Sequence, residues 1–306
     1  MTRPDNAVGM VWGPIDLNTA TRHAETRFHE AELMMKPGSS GSRRLPSGTP
    51  ILVVEDNDAN RILALRLLER LGYVATAARN GREALEAIAK DRYSLVLMDC
   101  QMPEMDGFEA TRAIRRQEAA GGERLPIVAM TASATERDRL ACLEAGMDDF
   151  IAKPVMIEVL GDALARWHPG GEAARPAMRG ARRERPGARS PGPVDRKALW
   201  RLRDDLGPEA CGRFLDAFMA ELPGREAAIL RAAQDRSGRA LRLAAHTLKS
   251  TSAAVGATAL ASLCGELEAL GSTSTTESAM EDVARLRAEC RRVLEALEME
   301  RAGLGA

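Results

Sequence analysis

The stretch ILVVEDNDANRILALRLLERLGYVATAA, residues 51–78, carries two kinds of patterning in turn. ILVV (51–54) is a short apolar run, 58–71 spaces its leucines as a helix does, and YVATAA (73–78) returns to a strand-like run. The alternation continues down the chain. Residues 81–90 read as helix, SLVLM (94–98) as strand, 107–118 as helix and PIVAM (126–130) as strand. Residues 134–145 then read as helix, FIA (150–152) as strand and 155–167 as helix. Five strands alternating with five helices specify a parallel sheet covered on both faces.

On either side of this region the texture changes. Residues 1–49 lack sustained periodicity and end in PGSSGSRRLPSGT, a Gly/Ser/Pro-rich signature that predicts a mostly disordered arm. A linker is expected over 169–194, where the run from Gly170 to Val194 holds six arginines against two glutamates and several prolines. From 195 to 300 only helical periodicity remains. Leu199, Leu202 and Leu206 share a face, as do Phe214, Phe218 and Leu222. So do Leu260, Leu263, Leu267 and Leu270, and then Val283, Leu286, Cys290, Val293 and Leu297. These predict an antiparallel helical bundle, with Pro223 breaking or kinking its second helix and a short tail over 301–306.

Composition narrows the classes. A chain of 306 residues holds about two domains at 100–200 residues each. Apolar content of 45% supports packed cores, and a net charge of -1 argues against nucleic-acid binding driven by overall charge. Cys100, Cys142, Cys211, Cys264 and Cys290 have neither zinc nor disulfide-framework spacing, which predicts reduced thiols in a cytoplasmic protein. No apolar run is long enough for membrane insertion.

Two groups of residues carry the chemistry. In HTLKSTSAAVGA (246–257), Leu241, Ala245, Leu248, Ser252 and Val255 line up on one side of a helix. At about 100° per residue, His246 points roughly 140° from Leu241, beside Lys249, Ser250 and Ala253. A histidine placed for packing would sit on the stripe, so His246 is expected to be presented outward, with Lys249 supplying charge for an anion.

The second group lies at the carboxyl ends of the strands, where open parallel sheets gather ligands. Glu55 and Asp56 end the first strand, Asp99 the third, Thr131 the fourth, and Lys153 with Pro154 the fifth. No Gly-rich phosphate loop follows strand one, which argues against a dinucleotide site. Three neighbouring carboxylates repel, and a divalent cation with hard oxygen ligands, Mg²⁺, relieves them together with a lysine. A carboxylate can then act as nucleophile toward phosphorus. Asp99 is the expected nucleophile, Asp56 the direct metal ligand and Glu55 a ligand through water. Lys153 would pair with the phosphoryl group and Thr131 would donate its hydroxyl.

VVEDN (53–57), MDCQMPEMDG (98–107), MTA (130–132) and KP (153–154) closely resemble a bacterial response-regulator receiver. The resemblance implies a flavodoxin-like fold of strand order 2-1-3-4-5 over 50–168 and Mg²⁺-dependent phosphorylation of Asp99. It further implies a metal contact from the Gln101 backbone carbonyl, a cis peptide between Lys153 and Pro154, and Phe150 as a switch aromatic moving with Thr131. The segment around His246, Leu248, Lys249, Ser250, Gly256 and Ala257 resembles a histidine-phosphotransfer (HPt) domain over 195–300. That resemblance makes His246 a phosphoacceptor.

A receiver followed by an HPt domain resembles the tail of hybrid sensor kinases. No nucleotide-binding boxes occur in these residues, so ATP-dependent autophosphorylation is not expected. The expected role is a phosphorelay. A separate histidine kinase upstream phosphorylates Asp99, His246 exchanges the group with Asp99, and a downstream receiver takes it. A phosphorylation-switched binding module and a reverse-flow phosphate drain are the alternatives. The linker length predicts that transfer between Asp99 and His246 is mainly intramolecular.

Overall fold

The structure, a computed structural model, describes residues 48–132, 136–168, 192–273 and 279–304. Residues 1–47 of the expected arm, 169–191 of the expected linker and 305–306 of the tail lie outside the described residues. Those described fall within one compact unit, Leu45–Ala306.

Its first half alternates as the patterning implies: β1 (Ile51–Val54), α1 (Asp58–Arg70), β2 (Ala75–Ala78), α2 (Gly81–Lys90) and β3 (Leu95–Asp99). α3 (Gly107–Ala119), β4 (Ile127–Thr131), α4 (Glu136–Ala145), β5 (Asp149–Ala152) and α5 (Ile157–Trp167) follow. The strands form one parallel sheet in the order β2-β1-β3-β4-β5, a flavodoxin-like arrangement. β1, β3 and β4 are buried along their whole length, which is why they read as continuous apolar runs rather than alternating ones.

Caps fix where the helices start, and hence where the strand-end loops turn. The Asn57 side chain accepts from the Asn60 N–H at 2.8 Å to open α1. Asp106 and Glu109 form a reciprocal capping box at α3. Gly107, the next residue, packs so tightly that a Cβ there would collide with the carbonyl oxygen of Asp99.

The second half is all helical: α6 (Arg196–Leu206), α7 (Pro208–Gln234), α8 (Gly238–Ala254), α9 (Thr258–Thr273) and α10 (Ala279–Leu304). α8 packs on α7 and α9, while α10 closes the bundle against α7 and α9. Its core uses the predicted faces, with Phe214, Leu241, Leu260, Leu267, Leu286 and Leu297 all buried. Of the expected break or kink at Pro223, the break does not occur, since α7 runs for 27 residues through it. A proline removes one hydrogen bond and crowds the preceding turn. Burial of Phe214, Phe218, Leu222 and Ile229 along the same helix offsets that cost.

The two halves touch. α1 lies against α7 and also contacts α6 and α8. The apolar core under the α1/α5 side of the sheet is continuous with the core of the bundle. A separate core fills the opposite side of the sheet, under α2, α3 and α4. Among the described residues, no helix is long and apolar enough to cross a membrane.

Candidate active site

The strand order β1-β3-β4-β5 brings four loops to one rim of the sheet. Glu55 and Asp56 follow β1, and Asp99 ends β3. One oxygen from each of these carboxylates lies within 4.8 Å of the others. Lys153, just after β5, places Nζ 2.6 Å from Glu55 Oε2 and 2.7 Å from Asp99 Oδ2. Thr131 is buried at the end of β4, and its carbonyl accepts the Lys153 N–H at 2.7 Å. The Lys153–Pro154 peptide is cis, and Phe150 is half-buried on β5.

Three carboxylates therefore face one ammonium in a largely buried site. Burial, and next the charge of Glu55, push the Asp99 carboxyl well above the usual range. The same two causes raise Asp56 to about 6, against the opposing pull of Lys153 and Arg225. Burial would strip Lys153 of its proton. The attraction of Asp99 and Glu55 outweighs that, and the lysine holds its proton more tightly than usual. The cluster is short of positive charge.

The donors fit a hard divalent cation. Asp56 Oδ1 is buried and has no hydrogen-bond partner among the described residues. Asp99 Oδ1 accepts from the Gln101 N–H at 3.2 Å. Both oxygens of Glu55 are already engaged, Oε1 by Asn60 Nδ2 at 3.0 Å and Oε2 by Lys153. Asp56 and Asp99 are thus the carboxylates suited to direct ligation, and Glu55 to an indirect role.

The bundle contributes His246 from the middle of α8. Its Nδ1 is 2.7 Å from Glu268 Oε1 on α9. An ionised carboxylate only accepts, so Nδ1 carries the proton and Nε2 bears the lone pair in the neutral ring. Nε2 is buried with no hydrogen-bond partner among the described residues. Lys249 Nζ reaches the other oxygen, Glu268 Oε2, at 3.1 Å. Burial alone would raise Glu268. The hydrogen bond with His246 and the charge of Lys249 instead hold it below the usual carboxylate range.

Glu268 was not foreseen. In the stretch GELEAL it stands beside the leucine stripe of its helix, and nothing local separates it from a solvated glutamate. Its partner His246 lies on another helix, so only the bundle reveals the pair. Sequence reading also expected His246 to face outward. It does point away from the bundle stripe, yet only 3% of it is exposed.

The helix that carries His246 also meets the other half of the chain. Ser250, one turn beyond His246, places Oγ 3.0 Å from Asn60 Nδ2 of α1. The same nitrogen donates to Glu55 Oε1 in the acidic cluster. Glu221 on α7 accepts from Asn57 Nδ2 at 2.5 Å and from the Asp58 N–H at 3.2 Å. Arg225 lies 3.9 Å from Asp56 Oδ2, and Arg70 donates to the Asp204 carbonyl.

Comparison with known proteins matches residues 51–165 to the response regulator receiver domain and residues 213–299 to the Hpt domain. The hybrid signal transduction protein dokA of Dictyostelium discoideum is 46% identical over 126 residues, covering 41% of this chain and 7% of that protein. The sensor histidine kinase GacS of Pseudomonas protegens is 42% identical over 133 residues, covering 43% and 14%. Probable histidine kinase 1 of Oryza sativa is 36% identical over 174 residues, covering 47% and 18%. The chain thus spans less than a fifth of the length of these relatives, which come from eukaryotes as well as bacteria. Among solved structures, the magnesium-bound receiver domain of the Pseudomonas aeruginosa sensor histidine kinase PA1611 is 45% identical. It covers 40% of this chain and 98% of that one, with a TM-score of 0.37.

Proposed function

We propose that the chain works in a two-component phosphorelay, exchanging a phosphoryl group between Asp99 and His246. The observation that carries this reading is the Asn60 bridge, which ties the α8 face bearing His246 to the carboxylate cluster holding Asp99. A histidine kinase is the donor to Asp99, and a further receiver is the partner that His246 serves. Both domain matches and the hybrid-kinase relatives support that assignment.

In the first step an Asp99 oxygen attacks a phosphohistidine, forming a P–O bond as the donor's P–N bond breaks. Lys153, 2.7 Å from Asp99 Oδ2, would pair with phosphoryl oxygens, and Thr131 at the neighbouring strand end would donate its hydroxyl. Mg²⁺, held by Asp56, Asp99 and the Gln101 carbonyl, would supply charge neutralisation for those oxygens. In the second step His246 Nε2 attacks the phosphorus of phospho-Asp99. A P–N bond forms, the P–O bond breaks, and Asp99 leaves as carboxylate. Glu268 holds the proton on Nδ1 and balances the charge that develops on the ring. Lys249 is then available beside the phosphohistidine.

The test is phosphotransfer from a phosphorylated hybrid-kinase catalytic domain, followed by acid and base lability. Wild type is expected to carry acid-labile phosphohistidine, His246→Gln to stop at acyl phosphate, and Asp99→Asn to remain unlabelled. Equal acid-labile label in His246→Gln would remove His246 from the relay.

A further inference from the structure

Cys100 directly follows Asp99, and its Sγ lies 3.7 Å from Sγ of Cys142 on α4. Both are free thiols, 3% and 2% exposed. The Cys100 backbone is held on two sides. Its N–H donates to the Met130 carbonyl at 3.2 Å, and its own carbonyl accepts the Gly107 N–H at 3.2 Å. Cys142 is anchored from the other direction, its carbonyl accepting the Met147 N–H at 3.0 Å on the way into β5. A disulfide requires its sulfurs about 2.05 Å apart. Closing the 3.7 Å gap draws the α4 side chain and the end of β3 together.

We propose that Cys100 and Cys142 form a peroxide-driven disulfide that clamps α4 to the phosphoacceptor strand and slows phosphorylation of Asp99. The inference rests on Asp99 being the acceptor. Residues 99–101 supply the acceptor carboxylate and the Gln101 carbonyl as one short run of backbone. Drawing Cys100 toward α4 shifts both groups relative to Lys153 and Asp56. Cys142 is the thiol that reacts first, because its hydrogen bond with Cys100 lowers it below its usual range. Its thiolate attacks peroxide oxygen, the O–O bond breaks and hydroxide leaves, giving a sulfenic acid. The Cys100 sulfur then attacks the Cys142 sulfur, an S–S bond forms, the S–O bond breaks, and water leaves with the Cys100 proton. Two thiols are oxidised and one peroxide is reduced to water. Near-complete burial restricts the oxidant to a small molecule, and hydrogen peroxide meets that limit.

The experiment treats the full chain with hydrogen peroxide. It scores the crosslink by peptide mapping under non-reducing conditions, and separately the rate of acetyl phosphate labelling in Mg²⁺. A Cys100–Cys142 peptide lighter by two hydrogens is expected. Labelling should slow roughly tenfold, inside the usual range of site-to-site coupling, and dithiothreitol should restore it. Cys142→Ala and Cys142→Ser should label under peroxide as fast as without it. Different pairing, no crosslink, or a crosslink with an unchanged rate each overturns the proposal. Asp99→Asn protein should still form the crosslink. Loss of labelling in reduced wild type therefore counts against the phosphorelay reading and leaves the thiol chemistry scored on its own.

Discussion

Asn60 Nδ2 stands 3.0 Å from Ser250 Oγ and 3.0 Å from Glu55 Oε1, so one amide joins the helix that carries His246 to the cluster that carries Asp99. Glu55 in turn shares Lys153 with Asp99. The path from α8 to the phosphoacceptor is polar and buried throughout, with Asn60, Glu55, Asp99 and Ser250 each 8% exposed or less. In such surroundings a missing partner costs more than the bond itself contributes.

Removing the bridge should therefore slow transfer without abolishing phosphorylation of Asp99. Asn60→Ala leaves Glu55 Oε1 and Ser250 Oγ without this donor, at about 1–3 kcal/mol, and a rate loss of roughly tenfold is expected in rapid-quench transfer from phospho-Asp99 to His246. Ser250→Ala should cost less, because its hydroxyl also has the Thr247 carbonyl. The double variant should be no slower than Asn60→Ala. Additive losses would mean the two side chains act separately.

Glu268 decides which nitrogen of His246 is free. Replacing it with Ala releases the ring to both tautomers and removes the charge that balances the imidazole, so phosphorylation of His246 should fall by more than tenfold, about 1.4 kcal/mol or more in the barrier. Glu268→Gln retains an acceptor for Nδ1–H and should lose less. Nitrogen NMR of the ring checks the cause, with Nδ1 protonated in wild type and a tautomer mixture in Glu268→Ala. An unchanged tautomer with slow transfer would assign Glu268 to packing alone.

Asp56 gives a pH dependence. Its carboxyl, raised from 3.8 to about 6 by burial and then by Glu55, takes up a proton in the metal-free fold as pH falls through 6. Proton and Mg²⁺ compete for it, so affinity should be full above pH 7 and fall about tenfold per unit below 6. The stability term runs in the opposite sense. Because the folded value exceeds the unfolded one, stabilisation is complete below pH 3.8 and is lost as pH rises through about 6, by roughly 3 kcal/mol for this group. Calorimetric Mg²⁺ titrations at pH 5.5 and 7.5 check the first sign and metal-free thermal melts at the same pH values the second, each compared with Asp56→Asn. A flat profile in wild type would place the cation elsewhere.

Two glycines should respond oppositely to alanine. At Gly107 the added Cβ would collide with the Asp99 carbonyl oxygen, and a destabilisation above about 2 kcal/mol is expected along with weaker phosphorylation. Gly161 lies within α5, where the nearest atom to a Cβ is Leu71 Cδ2 at 3.9 Å, an ordinary contact. Gly161→Ala should stabilise by about 0.5–1 kcal/mol. Thermal melts distinguish the pair, and equal effects would contradict the packing described at Asp99.

The residue pattern alone determined the parallel sheet, the helical bundle and the residues at the strand ends, because strand and helix periods are local properties of consecutive residues. ILVV (51–54), LVLM (95–98) and IVAM (127–130) are buried on both faces and so had to be continuous apolar runs. Placement of Glu55, Asp56, Asp99 and Lys153 on one rim followed from the rule that parallel strands present their carboxyl ends together. What depends on long-range packing was not legible. Glu268 is bound to a histidine 22 positions away, and Asn60 to a serine 190 away. The unbroken course of α7 through Pro223 depends on apolar contacts summed along the helix. His246 lies off the leucine stripe in the sequence, yet it is 3% exposed and paired with Glu268 of the neighbouring helix. No single helix encodes the surface of its neighbour, so the enclosure of His246 is settled only in the assembled fold.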